Sequence, residues 1–123
     1  METDRMTIKR NNPQSRLSAS VEYGNLLFLS GQTPVSGADD IELQTREVLE
    51  KIDALLAAAG SDNRHILSAQ IWLKDLQRDF ARFNDVWVEW LAEGTSPARA
   101  TVQAAMARPE ILVEIIITAA KAR

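Results

Sequence analysis

The sequence contains no cysteine and a single histidine, His65. Without cysteine there is no disulfide framework, no thiolate metal site and no cysteine nucleophile. His65 has no second histidine or cysteine at ligand spacing, which argues against a zinc site or a catalytic triad and favours a surface position. No phosphate-loop or dinucleotide-binding glycine pattern is present. These absences exclude the commonest metal, nucleophile and nucleotide sites.

Long hydrophobic runs and an excess of basic charge are also missing. No apolar run approaches the roughly 20 residues that span a bilayer. The first ten residues, METDRMTIKR, lack the apolar segment of a secretory signal, so we expect a cytoplasmic protein. The formal net charge is -3 with both signs interspersed, whereas a nucleic-acid binder usually shows a basic stripe. We therefore expect neither a membrane nor a nucleic-acid partner.

The remaining composition is that of one globular domain. The chain has 123 residues, of which 46% are hydrophobic and 25% charged. This length suits a single domain over residues 1–123 and is enough to bury a core without cross-links.

Hairpin signals dominate the first third of the chain. Residues 19–23 and 26–30 are strand-like runs on either side of Gly24-Asn25, a dipeptide that suits a two-residue hairpin turn. Residues 6–10 alternate apolar and charged side chains and predict a short first strand. Asn11-Asn12-Pro13 is expected to break that strand.

The rest of the chain predicts two helices and three strands. Apolar residues at helical spacing predict helices over residues 41–59 and 78–92. Strands are expected over residues 66–73, 99–106 and 111–119. The last strand is dense in isoleucine and valine, so we expect it to be central and covered on both faces.

The element order ββ(β)αβαββ predicts an α+β fold. Two amphipathic helices need one apolar surface, which a single mixed sheet with both helices on one face provides. Right-handed crossovers make this a ferredoxin-like or chorismate-mutase-like layout. The opposite sheet face has no helix to cover it, and if it is largely apolar it must meet another subunit.

Arg99 is the most informative candidate for a binding residue. In its strand Arg99, Thr101 and Gln103 share one face, and the other face, with Val102, looks like core. Glu114 lies among apolar residues of the last strand, so the two charges could meet. A partly buried guanidinium can hold a carboxylate through two parallel hydrogen bonds. The pattern alone leaves open a structural salt bridge between Arg99 and Glu114 at a sheet edge.

Two further positions have a functional and an ordinary interpretation. Ser30-Gly31-Gln32 closes the second hairpin strand and could line a pocket or simply leave the sheet. Asn84 lies among aromatic residues of the second predicted helix. Asparagine is a weak helix former, so Asn84 has either a hydrogen-bonding task or a solvated position.

Taken together, these motifs resemble those of the RidA (YjgF) family. The segment Gly24-Asn25-Leu26-Leu27-Phe28-Leu29-Ser30-Gly31-Gln32-Thr33-Pro34 resembles that family's hairpin. The other matching segments are Gln44-Thr45 with Ala58-Ala59-Gly60, residues 80–87, Pro97-Ala98-Arg99-Ala100-Thr101-Val102, and Leu112-Val113-Glu114-Ile115. The resemblance covers roughly residues 21–120.

The resemblance implies a fold, an assembly and an activity. RidA-like proteins have a chorismate-mutase-like fold and form homotrimers with clefts between subunits. Typical members hydrolyse 2-enamines and 2-imines derived from amino acids to a 2-keto acid and ammonia, with no metal or cofactor. The expected partners are therefore a small carboxylate substrate and two further copies of the chain.

The resemblance also assigns roles residue by residue. Arg99 would bind the substrate carboxylate, and Glu114 would position or activate the attacking water. Ser30, the Gly31 backbone and Asn84 would line the pocket. Two positions depart from many members: Thr101 stands where they have cysteine, and Leu17 stands where several have tyrosine. The loss of the tyrosine puts the substrate range in question, but not carboxylate binding.

Two other functions compete with an imine deaminase. The chain could be a non-catalytic, trimeric binder of small carboxylates with a regulatory role. It could also be a ribonuclease, a role attributed to some relatives. The acidic balance and the single histidine count against the ribonuclease.

Overall fold

A computed structural model describes residues 6–122 as two helices on a six-stranded sheet. A short 3₁₀ turn at Asn63–His65 precedes the fourth strand. The helices and strands are β1 (Ile8–Pro13), β2 (Ser18–Tyr23), β3 (Leu26–Leu29), α1 (Ile41–Ala58), β4 (Ile66–Leu73), α2 (Leu76–Trp90), β5 (Ala98–Gln103) and β6 (Val113–Ala120). Within residues 6–122, no helix is both long enough and apolar enough to cross a membrane.

The strand order is β1-β2-β3-β6-β4-β5, so β1 and β5 form the two edges. Every neighbouring pair is antiparallel except β4 and β5, which are parallel and joined by α2. The helices pack against each other, α1 on β6 and α2 on β4. The predicted mixed sheet with both helices on one face is confirmed.

Local capping chemistry sets where the helices begin. The carboxylate of Asp40 accepts a hydrogen bond from the N–H of Leu43 at 3.1 Å, which starts α1. Asp75 does the same for the N–H of Arg78, so α2 begins at Leu76, two residues before its predicted start. In the hairpin turn Gly24 has a φ of 62°, a conformation that glycine adopts without steric cost.

The core lies between the helices and one face of the sheet. On its sheet side, burial alternates over residues 69–73 of β4: Ala69, Ile71 and Leu73 are buried, while Gln70 and Trp72 between them point to the other side. Because each fully buried aliphatic side chain contributes about 1.5–3 kcal/mol, this stripe and its helical partners hold the domain together. The helical partners include Val48, Ile52, Leu56, Phe83 and Trp87.

The predicted break at Asn11-Asn12-Pro13 is wrong, because β1 continues through these residues. Asn11 pairs with Ser20 and Pro13 with Ser18 across the β1–β2 ladder. Asn12 takes a φ of 51°, which asparagine tolerates better than most residues. Proline is acceptable because β1 is an edge strand.

The predicted core face of β5 is also wrong. The parallel register pairs Arg99 with Ala69 and Thr101 with Ile71, which places these two residues on the helix-covered face. Val102 lies on the opposite face and is 46% exposed. The strand itself ends at Gln103 rather than Met106.

β6 is central as predicted, but within the chain only one of its faces is covered. Its inner residues, such as Ile115 and Ile117, are buried, whereas Ile116 on the outer face is 38% exposed. We call the side of the sheet without helices the open face. Its large exposed apolar side chains include Ile8, Tyr23, Leu26, Phe28, Val102 and Ile116.

Candidate functional site

Arg99 lies between the edge strand β5 and the aromatic side of α2. Its guanidinium carbon is 5.8 Å from the ring centre of Phe80, 5.5 Å from that of Phe83 and 5.8 Å from that of Trp87. Rings at these distances attract a cation through their electron-rich faces. We call these three residues the aromatic box. It holds the guanidinium in place of an acidic partner.

Most hydrogen-bond donors of the Arg99 guanidinium have no acceptor among the described residues. Its Nε donates to the hydroxyl of Thr101 at 2.9 Å. Among residues 6–122, no carboxylate forms an ion pair with Arg99, and its two terminal nitrogens have no hydrogen-bond acceptor. Burial lowers the pKa of Arg99 from its ordinary value, yet arginine remains charged in proteins. The site therefore presents a half-buried cation whose two terminal nitrogens are available for a ligand.

Asn84 belongs to the same side of α2 as the aromatic box. It follows Phe80 by four residues and precedes Trp87 by three, so the three side chains share one helix face. Its Oδ1 is buried and has no hydrogen-bond partner in the described structure. A buried acceptor without a donor is costly, which favours a hydrogen-bonding task over a solvated position.

Glu114 packs against Gly31 on the open face. A Cβ atom built on Gly31 would lie 2.3 Å from Oε2 of Glu114, so any other residue would force the carboxylate out of its present position. The two segments are fixed by backbone hydrogen bonds in both directions between Gln32 and Ile115, at 2.8 and 3.1 Å. With Trp72 and Met106, Glu114 borders a small cleft of about 170 Å³.

Ser30 and Leu17 lie at the same end of the β2–β3 hairpin as Gly31. The hydroxyl of Ser30 donates to the carbonyl oxygen of Ser18, and its backbone N–H donates to Ala19. Leu17, which directly precedes Ser18, is 51% exposed. Ser30, Gly31, Glu114 and Leu17 therefore lie along one rim of the sheet.

Arg99 and Glu114 do not meet within one chain, and the predicted contact between them is wrong. β4 lies between their strands. Arg99 faces α2, whereas Glu114 faces Gly31 on the open side. A structural salt bridge between them is excluded for the same reason. The two candidate groups therefore lie in separate places of one chain, and we call these places the arginine half-site and the glutamate half-site.

The aromatic box does not follow from the sequence pattern. Helical spacing predicts only an apolar stripe for Phe80, Phe83 and Trp87, which is correct for Phe83 and Trp87 because both are buried. Phe80, however, is 43% exposed and contributes its ring to the arginine. The sequence feature that could have indicated the box is the set of aromatic residues at helical spacing around Asn84.

The open face beside β5 forms a shallow cleft. The cleft has a volume of about 350 Å³ and is lined by residues including Gln70, Ala100 and Ile116. Within residues 6–122, no three His, Asp or Glu side chains lie close enough to hold a metal ion. His65 pairs with Asp62 at 2.8 Å, away from both half-sites.

Comparison with known proteins agrees with these motifs. The sequence matches the family described as endoribonuclease L-PSP over residues 7–121. It is 44% identical over 115 residues to a RutC family protein of Haemophilus influenzae, covering 93% of this chain and 98% of that protein. The RutC family protein YoaB of Escherichia coli is 42% identical over 115 residues, covering 94% and 99%.

Solved structures give the same result. A member of the YjgF protein family from Neisseria meningitidis superimposes with a TM-score of 0.92 at 45% identity, covering 96% of this chain and 98% of that one. A putative translation initiation inhibitor from Salmonella typhimurium gives 0.84 at 39% identity, covering 93% and 97%. The chain therefore belongs to the endoribonuclease L-PSP family, the RidA (YjgF) family whose motifs it carries.

Proposed function

We propose that the protein hydrolyses 2-enamines and 2-imines derived from amino acids, releasing a 2-keto acid and ammonia. The observation that carries the proposal is the half-buried guanidinium of Arg99, which has no acidic partner among the described residues. A planar guanidinium with two free terminal nitrogens matches the geometry of a carboxylate. Every 2-imino acid carries such a carboxylate beside its reactive carbon.

The reaction needs positioning more than a strong nucleophile. The imine carbon is already electrophilic, and protonation of an enamine on carbon produces the same species. Water adds to that carbon, and the resulting carbinolamine loses ammonia to leave the keto acid. With the carboxylate held by Arg99, the carbon is fixed near the water.

Glu114 is the residue suited to proton transfer. Its carboxylate takes a proton from the attacking water and returns one to the departing amine. Gly31 leaves the space that this carboxylate occupies, and Ser30 borders it. On the arginine side, Asn84 shares a helix face with the aromatic box, and its buried Oδ1 has no donor within the described residues.

The two half-sites can act together only across a subunit boundary, so we propose a homotrimer with its clefts between subunits. The open face supports this, because Phe28, Val102 and Ile116 are 38–46% exposed on one side of a sheet. Contiguous apolar surface of this kind marks an interface with another protein. Association would cover it and bring Arg99 of one subunit to Glu114 of the next.

The test is an imine-hydrolysis assay on purified protein with imines generated from several amino acids. We expect Arg99→Ala to lose activity by about a hundredfold or more, because the carboxylate anchor is removed. Arg99→Lys keeps the positive charge but lacks the two parallel donor groups of the guanidinium, so it should retain only part of the wild-type activity. Normal turnover by folded Arg99→Ala would refute the proposal.

A second candidate is a non-catalytic binder of small carboxylates. It is favoured by one observation: the arginine half-site is formed by a single chain and does not require Glu114. In that case 2-keto acids would raise the melting temperature of the wild type but not of Arg99→Ala. No imine would be turned over.

A further inference from the structure

Gln44 in the first turn of α1 is a wholly buried amide that ties two distant loops together. Its Nε2 donates to the carbonyl oxygen of Ala38 at 2.7 Å and to that of Glu110 at 2.9 Å. Its Oε1 accepts a hydrogen bond from the N–H of Leu112 at 2.8 Å. Because the side chain is fully buried, loss of these bonds would leave backbone groups without partners.

The tied loops adjoin the glutamate half-site: one leads into β6, which carries Glu114, and the other follows Gly31. Leu112 stands two residues before Glu114, in a segment outside the strands. Ala38 belongs to the loop that follows Gly31 and leads into α1. Gln44 therefore links the residues before Glu114 to the residues after Gly31.

Two more polar residues of α1 hold the same loop. Oε1 of Glu47 accepts hydrogen bonds from the N–H groups of Val35 and Ser36, at 3.1 and 3.0 Å. Nζ of Lys51 donates to the carbonyl oxygen of Thr33 at 2.7 Å. Residues 44, 47 and 51 are three and four apart, so they lie on one side of the helix.

We propose that this stripe, Gln44 with Glu47 and Lys51, is a positioning device that holds the Glu114 carboxylate in the space left by Gly31. The inference rests on the proposed function, since it concerns the geometry of the same site. We call the three residues the α1 clamp. Their hydrogen bonds reach both sides of the Gly31–Glu114 contact and involve neither Gly31 nor Glu114.

The arginine half-site lies outside the reach of the clamp. Arg99 is held by Thr101 and by the aromatic box on α2, and none of these residues bonds to Gln44, Glu47 or Lys51. Disturbing the clamp should therefore change the rate of proton transfer at Glu114 without changing how tightly a carboxylate binds.

The test compares turnover with carboxylate affinity in Gln44→Met, a near-isosteric change that removes all three hydrogen bonds. We expect kcat for imine hydrolysis to fall about tenfold, since small displacements of a catalytic group carry large rate penalties. The Kd of the 2-keto acid product, measured by calorimetry, should stay within about twofold. A kcat equal to that of the wild type, or a parallel loss of affinity, would overturn the inference.

Controls separate positioning from general destabilisation. Ile52→Val removes one core methylene from the same helix without touching the clamp, and should lower the melting temperature with normal kcat. If Gln44→Met fails to fold, Lys51→Met replaces it as the milder variant. Lys51→Arg keeps a donor for Thr33 and should recover the kcat that Lys51→Met loses; no recovery counts against the clamp.

A readout independent of activity distinguishes failure of the clamp from failure of the proposed function. If the wild type turns over no imine, the proposed function is wrong. Amide hydrogen exchange then still tests whether the clamp holds the two segments together. In Gln44→Met the N–H groups of Gln32 and Ile115, which join the two segments, should exchange at least about tenfold faster. Unchanged exchange at both amides would overturn the clamp, whatever the activity.

Discussion

The two faces of the sheet differ in what they bury and in the chemistry they carry. The helix-covered face is closed by side chains such as Ile71, Leu73 and Ile115, all 0% exposed. The open face leaves Phe28 and Ile116 about two-fifths exposed. Arg99 belongs to the first face and Glu114 to the second.

This difference explains why the half-sites are built differently. Arg99 is fixed by groups of its own chain, namely aromatic rings and a hydroxyl, which satisfy a cation without neutralising it. Glu114 is placed by backbone hydrogen bonds and by the absence of a side chain at Gly31. The closed face prepares its binding group within one chain, whereas in the proposed trimer a neighbouring subunit would complete the open face.

The largest expected effect comes from mixing two inactive variants, Arg99→Ala and Glu114→Gln, by unfolding and refolding them together. If each cleft takes its arginine and its glutamate from different subunits, random assembly should restore about a quarter of the wild-type activity. The measurement is imine hydrolysis per cleft. Mixing Arg99→Ala with the doubly substituted chain should restore nothing. An equally inactive mixture of Arg99→Ala and Glu114→Gln would show that the two residues do not act across a subunit boundary.

The next effect is on assembly. Ile116→Asp puts a charge in the middle of the open face, and we expect it to dissociate the oligomer because a charge without a partner is costly to bury. Sedimentation should give the mass of a single chain. Val88→Asp is the matched control, since Val88 is 67% exposed on α2 and lies outside the open face. Equal masses for the two variants would contradict the interface.

A smaller effect is expected at Gly31. In Gly31→Ala the new Cβ would displace the Glu114 carboxylate, and we expect kcat to fall about tenfold with keto-acid binding retained. Gly60→Ala is the control: its Cβ meets nothing within 4 Å, but its φ of 76° is strained for alanine. That variant should lose stability and keep its activity. Normal kcat in Gly31→Ala together with a loss of activity in Gly60→Ala would show that Gly31 does not belong to the site.

The smallest effect concerns Glu22, a buried carboxylate on the helix-covered face of β2. Hydrogen bonds from Lys121 and then Asn11 lower the pKa of Glu22 below its ordinary value. A depressed folded-state pKa contributes stability above the unfolded pKa, and that stability is lost as the pH falls through the folded pKa. Glu22→Gln should therefore melt below the wild type near pH 7, with the gap closing in acid.

The control for this pH series is Glu50→Gln, on an exposed position of α1. Thermal melts of the three proteins from about pH 7 to about pH 3 provide the comparison. A gap between Glu22→Gln and the wild type that stays constant with pH would show that the carboxylate charge plays no part.

Features decided by near neighbours in the chain could be predicted. The two-residue turn at Gly24, the start of α1 after Asp40 and the strand at Ile66–Leu73 all follow from local turn chemistry, capping and periodicity. The candidate residues could also be named from the sequence, because all except Leu17 lie in short family motifs, and Leu17 is placed by its spacing from the Gly24-Asn25 turn. Their functional roles stay predictions until the variants are measured.

Features decided by distant packing could not be predicted in the same way. The continuation of β1 through Pro13 depends on its pairing with Ser18 at the edge of the sheet. The orientation of β5 is not predictable from its own residues, because an alternating pattern defines two faces without saying which one is covered. The apolar face with Val102 looks like core, yet the helices cover the face with Arg99 and Thr101.

The sequence by itself determined the order of helices and strands, the fold class and the choice of candidate residues, since these depend on local propensity and on motif spacing. Only the tertiary structure decided that Arg99 lies under α2 while Glu114 lies on the open face. The physical reason is that the rings of Phe80, Phe83 and Trp87 stabilise the positive charge of Arg99 on the covered face. No pattern within β5 contains that information.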